Sequence, residues 1–139
     1  MSRQLATFVL DGAHYGVDVL HVQEALRSQV RTPVPVAPPG IAGLVNLRGQ
    51  VVLTVDLRVR LGLEPLAADA EPMMVVVQVD GEPVSLLVDE IGDVIDVEDS
   101  QFETPPDTLD GGLRDVVVGA YKLDRGLLLA LDVDAATAA

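Results

Sequence analysis

Hydrophobic and polar positions along this chain alternate in short runs. From Gln50 to Asp56, Val51, Leu53 and Val55 fall on one side, and Gln50, Val52, Thr54 and Asp56 on the other. A period of two over such a run predicts a half-buried strand. Gly43–Asn46 is a shorter apolar strand ahead of it, with Asn46, Leu47, Arg48 and Gly49 between the two. Gly49 adopts positive φ at no steric cost, so the pair predicts a tight hairpin with Arg48 presented to solvent at its tip. The chain then reads Asp56-Leu57-Arg58-Val59-Arg60-Leu61-Gly62. Asp56 caps a short helical turn, Leu57 and Leu61 share its apolar face, and Gly62 ends it, leaving Arg58 and Arg60 on a polar face.

The remaining segments repeat this grammar. Leu5–Leu10 and Tyr15–Asp18 predict a hairpin around Asp11-Gly12. Leu20–Arg27 is open between helix and strand, because its apolar pattern is too short to decide. Pro33, Pro35, Pro38 and Pro39 make Thr32–Gly40 an extended connector without regular ladders. Glu64–Pro72, rich in Ala, Pro and acids, reads as a linker. Met73–Val79 is almost wholly apolar, which predicts a strand covered on both faces. Asp80-Gly81-Glu82 turns into Pro83–Asp89. Gly92–Val97 follows, with Val94 and Val97 expected near the core and Asp93, Asp96 and Glu98 outside. Asp99–Arg114 reads as a long acidic loop. Val116–Lys122 and Leu127–Leu131 are two more strands around Asp124-Arg125-Gly126, and Ala135–Ala139 is expected to fray. The sum is nine or ten short strands in two batches split near residue 68. A barrel of half this chain's length buries only about 60% of its unfolded surface, so two such units gain by packing together.

Composition narrows the picture. Hydrophobic residues make up 49% of the 139, yet Phe8, Tyr15, Phe102 and Tyr121 are the only aromatics. Valine and leucine must fill the interior, which favours β structure. There is no cysteine, hence no disulfide or thiolate chemistry. No apolar run approaches the roughly 20 residues that span a bilayer. Met-Ser-Arg-Gln leads directly into a strand and lacks a signal-peptide core. These features predict a soluble cytoplasmic protein. The net charge is −13, unevenly spread: residues 1–63 carry six arginines against four acids, and residues 64–139 carry 18 acids against Arg114, Lys122 and Arg125. The acidic half argues against binding to nucleic acid or anionic lipid. The asymmetry itself fits either two differently charged sides or a device for solubility.

Catalytic patterns are missing from the chain. His14 sits beside a predicted turn, and neither it nor His21 falls near a serine in sequence. No nucleophile elbow and no phosphate loop appears. Asp89, Glu90, Asp93, Asp96, Glu98 and Asp99 are interrupted by Ile91, Val94 and Val97 at strand positions. They read as a solvated strand face; a calcium loop places its oxygens at alternate positions around a glycine bend. What remains is surface, and surface of this kind binds other proteins.

Asn46-Leu47-Arg48-Gly49, a short β run, and Asp56-Leu57-Arg58 together resemble the CheW family of bacterial chemotaxis coupling proteins. Tyr15-Gly16-Val17-Asp18, Val22-Gln23-Glu24 and Val88-Asp89-Glu90-Ile91-Gly92-Asp93-Val94 agree with it in order and spacing, so the likeness runs from about Leu5 to Val133. Leu53 stands where the family usually has Pro and Ser85 where it often has Gly. The family's C-terminal helix has almost no counterpart.

The resemblance implies an all-β fold. Two small five-stranded SH3-like barrels would pack together in one CheW-like domain over residues 1–139, with short helical turns. Its approximate halves would be 1–68 and 69–139, with strands free to cross over. It implies a non-enzymatic adaptor, needing no cofactor or metal, that couples a chemoreceptor's cytoplasmic hairpin tip to the regulatory domain of a CheA-type histidine kinase in receptor arrays. The receptor-facing residues would be Val22, Glu24, Gly43, Asn46 and Arg48. The kinase-facing residues would be Val84, Ser85, Val88, Asp89 and Val94, although Val88 and Val94 also suit a core and Gly43 also suits close packing. Two alternatives stay open: an adaptor of a non-flagellar pathway controlling surface motility or development, and a stand-alone acidic metal- or ligand-binding β domain.

Overall fold

A computed structural model of the chain describes residues 2–27, 29–67, 69–105, 109, 111–124 and 126–137. Its strands are β1 (Ser2–Leu10), β2 (Ala13–Asp18), β3 (Val22–Arg27), β4 (Ile41–Leu47), β5 (Gln50–Asp56), β6 (Met73–Val79), β7 (Glu82–Val88), β8 (Glu90–Glu98), β9 (Phe102–Glu103), β10 (Val117–Leu123) and β11 (Gly126–Leu131). Three short helices accompany them: α1 (Leu57–Arg60), α2 (Gly111–Val116) and α3 (Val133–Thr137). The turns Val19–His21 and Asp99–Gln101 are 3-10.

Three hairpins share one device. Asp11 and Gly12, Arg48 and Gly49, and Asp80 and Gly81 all have positive φ. They connect strands whose flanking residues pair as Leu10 with Ala13, Leu47 with Gln50, and Val79 with Glu82. Two-residue loops with both central φ positive match the right-handed twist of the strands they join.

The strands form two sheets. One has six strands in the order β8-β1-β2-β11-β10-β9, and the other five in the order β3-β6-β7-β5-β4. In each, two antiparallel hairpins meet through one parallel pair, β2 with β11 and β5 with β7. Both sheets draw strands from both sides of residue 68, so the two batches read in sequence are not the two sheets. The chain crosses from the six-stranded sheet at Val19–His21 and returns at Asp89.

Both sheets are rolled. β3 and β4 are the outer strands of the five-stranded sheet. The connector leaving β3 bonds to β4 through Thr32 and Leu44, each N–H donating to the other's carbonyl at 2.8 Å. In the six-stranded sheet, the Asp99–Gln101 turn carries the chain directly from outer strand β8 to outer strand β9. Rolling gives each sheet an inside and an outside, and both are apolar. Val45, Leu47, Val52, Met74, Val76 and Leu87 fill the five-stranded sheet. Leu5, Val97, Tyr121, Leu128 and Ala130 fill the six-stranded one. A larger core lies between the sheets and joins Phe8, Leu10, Tyr15 and Val17 to Val55, Val75, Val77, Leu86 and Val88.

Those three cores explain where the residue pattern departs from expectation. Met74–Val77 is buried at every position, as its unbroken apolar run predicts. Gln50–Asp56 is also covered on both faces: Val55 enters the core between the sheets while Val52 and Thr54 point into the rolled interior, and Val51 is left outside. Leu20–Arg27 resolves into a capped 3-10 turn and a strand, with Asp18 Oδ1 accepting the Leu20 N–H at 2.9 Å. Val94 is exposed, which corrects its placement near the core. Val94 and Val97 are three residues apart and so lie on opposite faces of β8. Val97 and Ile95 pack inside the sheet, and Val94 shares the open face with Asp96 and Glu98.

Local signals held elsewhere. Asp56 Oδ1 caps α1 through the N–H groups of Arg58 and Val59. Gly62 (φ 78°) and Leu63 close it, donating to the carbonyls of Val59 and Arg58. That is the paired C-terminal motif a helix ending in left-handed glycine forms. Thr32–Gly40 makes no ladder beyond the Thr32 bridge. The Asp99–Arg114 segment contains β9 and the start of α2, with 106–108 and 110 outside the described residues, as is Arg125 of the last hairpin. Val133–Thr137 is helical and Ala136 is fully buried, so the tail does not fray there; residues 138–139 lie outside the described residues.

Candidate functional site

Arg48 occupies a left-handed position, φ 53°, where its two sister hairpins place aspartate. Asx residues tolerate that conformation best, and a long side chain there is uncommon. The turn is secured by Asn46, whose Oδ1 accepts the Gly49 N–H at 2.9 Å. Local energetics alone would favour Asp or Asn at position 48, so the arginine is explained by what its head group reaches. Its Nη2 donates to Oε2 of Glu24, on β3 at the opposite end of the same sheet. The ion pair therefore spans the seam where the rolled sheet closes. Arg48 is 69% exposed and Glu24 is 24% exposed. The hydrogen bond from Arg48, and after it one from Gln23, holds the Glu24 carboxyl below its ordinary range. Gln23 in turn accepts from Gln78 of β6.

Gly43 stands behind this pair. Its φ is 133°, and a Cβ there would sit 2.7 Å from the Thr32 carbonyl oxygen. Close approach of the connector to β4, needed to close the seam, is what requires glycine. Val22 is half-buried on β3, packed against the core between the sheets. All five thus lie on or beside one seam, with Val22 and Glu24 on β3, Gly43 and Asn46 on β4, and Arg48 in the turn that follows β4. The exposed groups are the Arg48 head and the Asn46 side chain.

The second set does not form one surface. Ser85 is fully buried inside the five-stranded sheet, beside Thr54 in the β5–β7 register. Neither hydroxyl has a hydrogen-bond partner. Val88 is 1% exposed in the core between the sheets, and Val84 is half-buried against that core. Both carboxylate oxygens of Asp89 are taken. Arg58 donates Nε to Oδ1 at 2.8 Å and Nη2 to Oδ2 at 2.6 Å, and the Asp11 N–H donates to Oδ2 at 2.8 Å. The Arg58 hydrogen bonds hold the Asp89 carboxyl below its usual range against the opposing effect of burial. Only Val94 of this set, 54% exposed, presents an apolar side chain to solvent. Ser85 and Val88 are therefore buried, and Asp89 is half-buried with its carboxylate engaged within the chain.

Sequence reasoning placed Arg58 on a polar face; its side chain is 12% exposed. It also passed over Leu20, 86% exposed on the 3-10 turn, and Val51, 67% exposed beside Asn46. Leu20 follows an Asp cap, and that local signal marks a turn whose apolar residue has nothing to bury against.

The chain is thus a β domain of two rolled sheets, one of them bridged across its seam by the ion pair of Arg48 and the half-buried Glu24. A model of the CheW-like domain matches residues 4–139, and the chain belongs to that family. It is 30% identical to "Chemotaxis protein CheW" of Bacillus subtilis over 95% of this chain and 85% of that protein. It is 29% identical to the protein of the same name from Rhizobium meliloti, with the same coverage. The crystal structure of the scaffolding protein TtCheW from Thermoanaerobacter tengcongensis superposes with a TM-score of 0.84 at 27% identity, covering 96% of this chain and 90% of that one. Among the described residues no helix is long and apolar enough to cross a membrane.

Proposed function

We propose that this chain is an adaptor with no catalytic activity of its own. It couples the cytoplasmic hairpin tip of a chemoreceptor to the regulatory domain of a CheA-type histidine kinase, and reaches membrane receptor arrays through those partners. The observation that carries the reading is Arg48. It sits in a backbone conformation that disfavours it, it is exposed, and it lies on the seam with Glu24, Asn46 and Val22. A receptor tip built from helices with an apolar stripe and acidic residues would lay the stripe along Val22 and the Gly43 backbone and offer a carboxylate to Arg48. Kinase contact falls to the other exposed surfaces, with Val94 a direct contact on the six-stranded sheet, while Val84, Ser85, Val88 and Asp89 shape the interior that supports those surfaces. Receptor state would pass through the adaptor by differential contacts in two arrangements of the assembly.

The test is titration of a receptor tip fragment into the purified chain, followed by calorimetry. Arg48→Glu places two acids at the seam and should weaken receptor binding about tenfold or more, equivalent to about 1.4 kcal/mol, while the melting curve stays cooperative. Unchanged receptor affinity in Arg48→Glu would refute the assignment.

A further inference from the structure

Among the described residues the backbone passes between the two sheets at two places, Val19–His21 and Asp89. Two passages make a hinge. The core between the sheets fills the gap, but apolar burial has no preferred direction.

Arg58 supplies direction. It stands on α1, immediately after β5 of the five-stranded sheet, and its two bonds to Asp89 run in parallel from a planar guanidinium to a planar carboxylate. Such a pair fixes orientation as well as distance. Asp89 is the residue at which the chain re-enters the six-stranded sheet. Its carboxylate also accepts the Asp11 N–H from the β1–β2 turn, and its own N–H donates to the Val9 carbonyl at 3.0 Å. Arg58 Nη2 lies 3.9 Å from Asp11 Oδ1, and Nη1 donates to the Glu64 carbonyl at 2.7 Å. The side chains are 12% and 16% exposed. One carboxylate is thus held from both sheets at the passage between them. For stability alone, a buried ion pair gives little advantage over packed apolar groups; its best-attested use is to specify one arrangement among several.

We infer that the Arg58–Asp89 latch sets the angle between the two sheets, and that through this angle contacts made at the Arg48 seam reach the surfaces offered by the other sheet. Arg58 and Asp89 are then positioning residues of the adaptor, and the transmission half of this inference rests on the adaptor reading above.

The chain's lack of cysteine makes the test clean. Ala25→Cys on β3 and Val118→Cys on β10, both at exposed positions, put one spin label on each sheet, and pulsed dipolar spectroscopy reads the distance between them. Arg58→Lys keeps the charge and loses the fork; Asp89→Asn keeps the shape and loses the charge. Either variant should shift or widen the distance distribution while unfolding remains cooperative. Two variants are used so that one that fails to fold does not decide the matter. In the same proteins without labels, the factor by which the kinase regulatory domain alters affinity for the receptor tip is measured, and it should fall to about 1. Distributions identical to the parent in a folded latch variant would overturn the hinge. Widened distributions with undiminished coupling would overturn the transmission. A parent chain that binds neither partner would remove the adaptor reading and transmission together, an outcome the partner-free distance measurement separates from failure of the latch.

Discussion

Thr54 and Ser85 offer the sharpest test of how the interior is built. They are neighbours across the parallel β5–β7 pair, both fully buried, and neither hydroxyl finds a partner. Around them are Val45, Leu47, Val52, Met74, Val76 and Leu87. Burying a hydroxyl without a hydrogen bond costs about 1–3 kcal/mol by mutational measure. Thr54→Val removes the hydroxyl and puts a methyl group of nearly the same size in its place, so it opens no cavity and forces no rotamer. The variant should gain about 1 kcal/mol, a rise of roughly 3–4 °C in Tm for a domain of this size. Ser85→Ala should gain a similar amount. The double variant is not expected to give the sum, because sites in contact couple. Urea titration followed by far-UV circular dichroism measures all three, and the slope should stay at the parent value if only native stability changes. Should Thr54→Val lose about 1 kcal/mol or more, with the Ser85→Ala cycle showing a favourable coupling, the two hydroxyls must bond one another and the reasoning fails.

Other consequences follow from single contacts. Gly43→Ala must fit a Cβ 2.7 Å from the Thr32 carbonyl at positive φ; it should lose about 1–3 kcal/mol, and amide exchange at Thr32 and Leu44 should quicken as the seam opens. Val36 is a fully exposed β-branched residue at φ 58°, and Val36→Asn should raise the urea midpoint by about 1 kcal/mol equivalent. The Asp89 carboxyl titrates below its ordinary range when folded. Its contribution is therefore complete above the unfolded pKa of about 4 and is lost as pH falls through the lower folded value. Acid unfolding of Asp89→Asn should show a shallower dependence of stability on pH in that window, and an unchanged slope would contradict the ion pair.

Much of this structure was readable locally. The dipeptides Asp11-Gly12, Arg48-Gly49 and Asp80-Gly81 announced their turns because left-handed φ has few tenants. Asp56 and Gly62 framed α1 for equally local reasons of capping. The unbroken apolar run of β6 announced burial on both faces. Partnership between distant residues was not readable. Arg58 and Asp89 are 31 positions apart, and nothing in an Asp-Leu-Arg triplet says that its arginine turns inward. Glu24 and Arg48 meet because a sheet rolls until its outer strands touch, a property of the whole ladder. The crossing of strands over the boundary near residue 68 was not readable for a similar reason: β1 and β2 complete their sheet with β8, β9, β10 and β11, formed later in the chain. Val94 was misplaced because valine was allowed to outweigh the period of the strand it sits in.

The central claim is that this chain bridges two partners at once without reacting with either. Analytical ultracentrifugation of the chain with a chemoreceptor tip fragment and a CheA-type regulatory domain measures this directly. A ternary complex with the wild-type chain, from which Arg48→Glu drops only the receptor fragment, is the predicted result. Sedimentation of all three as separate species would contradict the account.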